Sequence, residues 1–222
     1  MLCGGVDSLS LLTINGFASL EVVSGRVARP FAADRDGINI GEAAAVFLMT
    51  RAPMPGFPEG EPIGLLGYGA SSDAWHMSSP RPDGEGAMQA IQAALQGAGL
   101  SAGDLGWINL HGTGTTQNDA MESLAVVQTL GVDVPGTSTK PHTGHTLGAA
   151  GALEAAIVWG FVSRQLNPSG ALPAQGNERD PSLAPLRLTR PGDCWPSGRR
   201  LGLSTSFAFG GNNMALIMGD MA

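Results

Sequence analysis

The chain has 222 residues, of which 43% are apolar, 14% charged and 33 glycine, a mix that favours collapse into one large domain or two small ones and excludes a disordered chain. Twelve basic against nineteen acidic residues give a net charge of −7, the wrong sign for binding a phosphate backbone, so nucleic acid is not an expected partner. No stretch has the apolarity of a membrane span, since the nearest, Leu147 to Val162, is interrupted by Glu154, and two cysteines cannot make a disulfide framework. With no basic leader before the first apolar stretch, the expectation is a soluble protein of the reducing cytoplasm.

In chain order, residues from Met1 to Val6 read as a strand, as do Gly41 to Met49 (GEAAAVFLM). Pro53 to Pro62 is rich in proline and reads as a loop, followed by a strand over Pro62 to Gly69. Met88, Ile91, Leu95 and Ala98 fall at helical steps within Glu85 to Ala98. Trp107 to Leu110 is a short apolar strand that runs into His111-Gly112-Thr113-Gly114-Thr115. Asn118 is placed to cap a helix that Gly131 stops after Leu130, and Val134 to Thr139 is strand-like. A long helix is expected from Thr146 to about Gln165, then a proline-rich stretch without periodicity from Asn167 to Pro196. Two last strands, Leu201 to Phe207 and Met214 to Met218, are joined too tightly for a crossover and should pair antiparallel. The alternation predicts an α/β layered fold with a mixed sheet.

Three glycine-rich stretches fail as phosphate loops: Gln117 replaces the third glycine of a dinucleotide fingerprint, Thr137 stands where a P-loop needs lysine, and Gly148 to Gly151 carries neither signature. No nucleotide cofactor is expected. His111 sits at the C-terminal end of a predicted strand, where α/β sheets place ligand-binding residues. His145 precedes the long helix, whose dipole disfavours an imidazolium and leaves a neutral ring able to donate one N–H. Two such imidazoles on one point would stabilise an oxyanion or enolate; either could instead only tie down a loop. A metal site built from His142, His145 and His111 competes with that reading, although no acidic residue or cysteine flanks the pair and Pro141 suggests a loop. Lys140 ends the predicted strand and is the natural partner for Glu154, if that carboxylate is buried rather than on a polar face. Asp119 and Glu122 read most simply as first-turn charges of their helix. Phe207 and Phe209 share a face if extended; core packing is their ordinary fate, and the glycine pair after Phe209 would let that ring act as a lid.

Five motifs, in order, resemble the β-ketoacyl-acyl-carrier-protein synthases of the thiolase-like superfamily. They are Arg29-Pro30-Phe31 with Arg35-Asp36-Gly37 and Gly41-Glu42-Ala43-Ala44; Ser71-Ser72-Asp73-Ala74-Trp75-His76-Met77-Ser78; His111-Gly112-Thr113-Gly114-Thr115 with Asp119 and Glu122; Ser138-Thr139-Lys140 through Thr143-Gly144-His145 and Gly148-Ala149-Ala150-Gly151 to Glu154; and Ser206-Phe207-Ala208-Phe209-Gly210-Gly211. The resemblance spans nearly the whole chain and implies the C-terminal half of such an enzyme, a thiolase-like layered fold with a mixed five-stranded sheet covered by helices. It implies two units: a remnant of the first half with its connecting segment over 1–52, and the C-terminal synthase domain over 53–222.

The implied chemistry is a decarboxylative Claisen condensation of an acyl thioester, held on a cysteine, with malonyl-carrier protein. His111 and His145 fall on the two catalytic histidines, and Lys140 and Glu154 on the buried lysine and its carboxylate. Thr113 and Thr115 fall where hydroxyls bind the phosphopantetheine arm, which arrives on the carrier protein, so no resident cofactor or metal is implied. Phe209 falls on the gating aromatic, its N–H in the oxyanion hole, with Phe207 beside it. The family's nucleophilic cysteine lies in a first half that this chain does not include. Cys3 lies within a strand, which neither exposes nor activates a thiol, and Cys194 lies in the proline-rich stretch. Ala32 replaces a common aspartate, and Pro141 stands where many members have serine or alanine, a departure suggesting a polyene-forming subfamily. Implied partners are an acyl carrier protein and either the missing half or a complete synthase, in a homo- or heterodimer. A chain-length-factor-like, non-catalytic subunit is the alternative, and a metal-dependent hydrolase a third reading.

Overall fold

The computed structural model describes residues 1–51 and 62–221. Among these, the chain runs through β1 (Leu2–Asp7), α1 (Leu11–Ser19), β2 (Ala43–Leu48), β3 (Ile63–Ser72), α2 (Glu85–Ala98), β4 (Trp107–Asn109), α3 (Thr116–Leu130), β5 (Gly136–Thr137), α4 (Lys140–Thr143), α5 (Ala150–Val162), β6 (Leu201–Ala208) and β7 (Asn212–Asp220). The Pro53–Pro62 loop and the expected 52/53 boundary fall almost wholly outside the described residues.

β3, β7, β6, β4 and β5 form one five-stranded sheet in that order. β7 pairs antiparallel with both β3 and β6, while β4 pairs parallel with β6 and β5, so the sheet is mixed. Strand alternation sorts side chains to its two faces. Ile108, Leu203, Ala215 and Ile217 face α2 and α3, meeting Ile91, Leu95 and Val126 in the larger core. Trp107 and Met218 face α5, meeting Ala155, Val158 and Val162 in the second. Gly202 lets α5 close on β6, because a Cβ there would stand 2.7 Å from a Val158 methyl.

Several local expectations change. α3 starts at Thr116 with Thr115 as its extended N-cap, so Asn118 lies buried in the first turn and caps nothing. The strand expected over Val134 to Thr139 shortens to Gly136–Thr137, and Lys140 opens the short helix α4 rather than ending a strand. The long helix splits: a 3₁₀ turn covers Leu147–Ala149 and α5 proper begins at Ala150, because Leu147 is left-handed and cannot sit inside an α-helix. α5 ends at Val162, where the Asn167 amide and the Trp195 indole donate to the Phe161 carbonyl at 3.0 and 2.9 Å.

β1 and β2 form a separate antiparallel ribbon in register Leu2↔Leu48 through Asp7↔Ala43. Its inner face packs on the start of α5. Its outer face carries Leu2, Val6, Val46 and Leu48, each more than half exposed. α1 is bare too, with Leu11 and Leu12 in solvent and no buried residue. Apolar area of this kind drives association. The chain by itself should therefore self-associate in sedimentation velocity as concentration rises. The double change Val6→Lys, Val46→Glu should shift it toward monomer without lowering its unfolding midpoint.

Candidate active site

The site is assembled where β4, β6 and the turn before α5 end on the same side of the sheet. β4 delivers His111 two residues past its end. The turn after it is held from below by Glu122, whose carboxylate accepts the His111 and Gly112 N–H groups at 2.8 and 2.7 Å and the Thr205 hydroxyl at 2.8 Å. Asp119 accepts the Phe31 N–H at 2.7 Å and the Gly114 N–H at 3.2 Å. Both carboxylates are fully buried; Asp119 does lie in the first turn of α3, while Glu122 lies beyond it. Burial pushes Asp119 up to about 6 and Glu122 up to about 7, against the pull of these N–H donors. Gly112 is required where it stands: its φ is +36°, and a Cβ would lie 2.5 Å from that of Ser138.

Lys140 lies behind the histidines and is 2% exposed. Its ammonium is paired with the Glu154 carboxylate, donates to the His111 carbonyl at 2.5 Å, and contacts His111 Nδ1 at 3.3 Å. An ammonium has no lone pair, so Nδ1 accepts and the His111 proton stays on Nε2. Glu154 is raised by burial, the largest effect, while Lys140 pulls it down.

His145 is fixed differently. Its Nδ1 accepts the Leu147 N–H at 3.2 Å, which leaves Nε2 as the N–H donor. The two rings stand edge to face with centroids 5.2 Å apart. Burial, then Lys140, lowers His145 to about 3; burial, then Lys140 and His145, holds His111 well below the usual histidine range. Both are neutral at neutral pH. The sequence argument for neutrality was the helix dipole; the structure makes desolvation the leading cause.

His111, His145, Thr113, Thr115, Phe207 and Phe209 all line one cleft of about 730 Å³. The Thr113 and Thr115 hydroxyls are 2.9 Å apart within it. The two phenylalanines part company. Phe207 is buried, packs with Ala87, Met121 and Ala125, and meets the His111 ring edge-on at 5.9 Å. Phe209 lies past the end of β6, half exposed, in a turn whose Gly210 and Gly211 are both left-handed. Lys140 and Glu154 sit behind the cleft wall rather than in it.

The sequence reading passed over Phe17, which lines the cleft from α1 and stacks on Phe209 with centroids 5.6 Å apart. It also passed over the lacing of the 73–80 loop to the Phe209 turn. Asn213 donates to Asp73 at 2.7 Å, the Asp73 N–H reaches Gly211 O at 2.8 Å, and Gly210 N–H reaches Met77 O at 2.8 Å. Neither cysteine lines the cleft: Cys3 is half-buried in β1 and Cys194 is exposed. Among the described residues, no three His, Cys, Asp or Glu side chains are placed to hold a metal ion, and His142 does not join His111 and His145 in the cleft. No helix of the described residues is long and apolar enough to cross a membrane.

A five-stranded mixed sheet between helical layers, with a histidine pair at its rim, is the C-terminal half of a thiolase-like fold. Residues 64–170 match the family model described as the β-ketoacyl synthase, C-terminal domain. The chain is 35% identical over 228 residues to the 3-oxoacyl-[acyl-carrier-protein] synthase 2 of Synechocystis, covering 97% of this chain and 53% of that relative. It superposes with TM-score 0.87 and 48% identity on a chain of the ketosynthase–chain length factor complex from Xenorhabdus doucetiae, covering 99% of this chain and 53% of that one. A chain of a complex of a type II PKS acyl-carrier protein with its ketosynthase matches at 25% identity and TM-score 0.81, over 100% of this chain and 56% of that one. The chain is thus similar to the C-terminal half of β-ketoacyl-acyl-carrier-protein synthases, and it spans about half the length of the curated relatives it matches.

Because the Lys140–Glu154 pair is buried on both sides, removing one partner strands the other. Lys140→Met should lower stability by about 3–5 kcal/mol in denaturant unfolding. The double change Lys140→Met, Glu154→Leu should recover most of that loss.

Proposed function

We propose that these residues form the enolate-stabilising half of a condensing enzyme that joins an acyl thioester to a malonyl unit carried by an acyl carrier protein. The observation that carries this reading is the pair of neutral imidazoles, each with its Nδ1 engaged and its proton on Nε2, that of His111 also meeting the Phe207 main chain. Loss of carbon dioxide from a malonyl thioester leaves an enolate whose charge rests on the thioester oxygen. Two N–H donors stabilise that oxygen without protonating it, and a low-dielectric cleft strengthens them. The enolate carbon then attacks the acyl thioester carbonyl and expels a thiolate. The cysteine that holds the acyl group lies outside these residues.

In this reading Thr113 and Thr115 bind the phosphopantetheine arm, which the carrier protein brings, and Phe209 gates its entry with Phe207 beneath. Lys140 and Glu154 hold His111. Residues 1–52 close off the first half of the fold and 53–222 form the synthase domain. The bare ribbon and α1 are the seat of the first half or of a complete partner subunit, making a homo- or heterodimer in the cytoplasm, without a resident cofactor. The likeness to chains of a ketosynthase–chain length factor complex, at 48% identity, and of a type II PKS ketosynthase complex, at 25%, supports polyketide or polyene synthesis.

A second reading, a non-catalytic chain-length-factor-like subunit, is favoured by the likeness to chains of ketosynthase–chain length factor complexes. One experiment separates the two. The first half of a related ketosynthase is supplied in trans, and condensation of an acyl thioester with malonyl-carrier protein is followed. The condensing-enzyme reading predicts restored activity that His145→Ala lowers by about 10²–10³-fold. Activity indifferent to His145 contradicts it. A stable heterodimer with a complete synthase, formed without restored activity, supports the second reading instead.

A further inference from the structure

The His145 tautomer rests on a strained peptide, and that peptide is held from a distant part of the chain. Leu147 has φ +48°, a left-handed backbone that a γ-branched side chain rarely adopts. This conformation aims its N–H at His145 Nδ1. The next N–H, that of Gly148, is taken at 2.8 Å by Oδ2 of Asp7, the last residue of β1 and 141 positions away. A Cβ on Gly148 would stand 3.0 Å from that oxygen, and one on Gly5 would stand 3.0 Å from the Gly148 carbonyl. The ribbon therefore seats on this turn with no side chain between them. On the other flank the His145 main chain is pinned already: its N–H donates to Asn39 O at 2.6 Å and its carbonyl accepts from Gly41 N at 3.0 Å. The turn itself is closed by the Ala149 N–H on Thr146 O at 2.9 Å and the Ala150 N–H on Leu147 O, and Asp7 adds the anchor on Gly148 from the β1–β2 ribbon.

We propose that Asp7 is a positioning residue for His145. By accepting the Gly148 N–H it keeps Leu147 left-handed, and so keeps the imidazole in its Nε2–H form, facing the cleft. Seating of the β1–β2 ribbon and donor geometry at the cleft are then one event, because the residue that couples them belongs to β1. The role of this placement rests on the donor function proposed for His145, but its readout does not.

Magic-angle-spinning NMR of the full chain, ¹⁵N-labelled at its four histidines, reads the tautomer whatever the association state. The wild type should show His145 as the Nε2–H form alone. Asp7→Ala should mix the tautomers and bring the two ring-nitrogen resonances toward each other, leaving His111, which leans on Lys140, unmoved. Asp7→Asn keeps a carbonyl acceptor and should keep the wild-type signature. Adding Leu147→Gly to Asp7→Ala should restore it, because glycine adopts this backbone without strain. An Asp7→Ala spectrum identical to wild type, a parallel shift of His111, or an Asp7→Asn spectrum matching Asp7→Ala would each overturn the proposal. A failed condensation assay would contradict the proposed function and leave this result standing.

Discussion

Lys140 places a full positive charge where almost no water reaches, and the arrangement of the site follows from how that charge is satisfied. Its ammonium is paired with Glu154, donates to the His111 carbonyl and contacts His111 Nδ1. The same cation fixes the His111 ring and, with burial, disfavours a second charge on either histidine. A lysine cannot hold this position alone: α5 must bring Glu154 across, and the turn after β4 must turn its carbonyl inward. The sheet and α5 therefore matter to the chemistry mainly as the frame that lets three groups meet one ammonium.

The two histidines reach equivalent states by different routes. His111 is held by Lys140 behind it and by Glu122 beneath its backbone. His145 is held by its own chain, through a left-handed Leu147 that exchanges backbone strain of about 1–2 kcal/mol for a fixed N–H direction. Strain confined to one residue beside a reactive group is the pattern expected where geometry is functional. Phe209 is placed differently again: it is half exposed and stacked on Phe17, in a turn with two left-handed glycines.

Much of this was legible in the sequence because it is periodic or punctuated. α2 was read with its observed ends from the Met88, Ile91, Leu95, Ala98 stripe, and the β6–β7 pair from its short Gly-Gly-Asn-Asn connection. α1 carries no such stripe: Leu-Leu-Thr-Ile-Asn-Gly-Phe-Ala-Ser buries no face, so there is no period to find, and Phe17 was missed with it. The roles of Asp119 and Glu122 were hidden for another reason. Their partners are backbone N–H groups, which leave no mark on residue type, and one of them lies 88 positions away. Asp7 is the extreme case, since its partner is the N–H of a glycine. The order of the five motifs pointed to the family, but no motif foretold the left-handed residue that divides the long helix.

The site depends on two imidazoles that stay neutral side by side, so the most direct test is a titration of both rings. ¹⁵N NMR of His111 and His145, followed from pH 8 down to pH 5, should show each remaining uncharged across the range, since burial and Lys140 hold His145 at about 3 and His111 well below its ordinary value. Protonation of either ring above about pH 6, near the unperturbed value for histidine, would mean that an imidazolium faces the cleft and that the site does not work through two neutral donors.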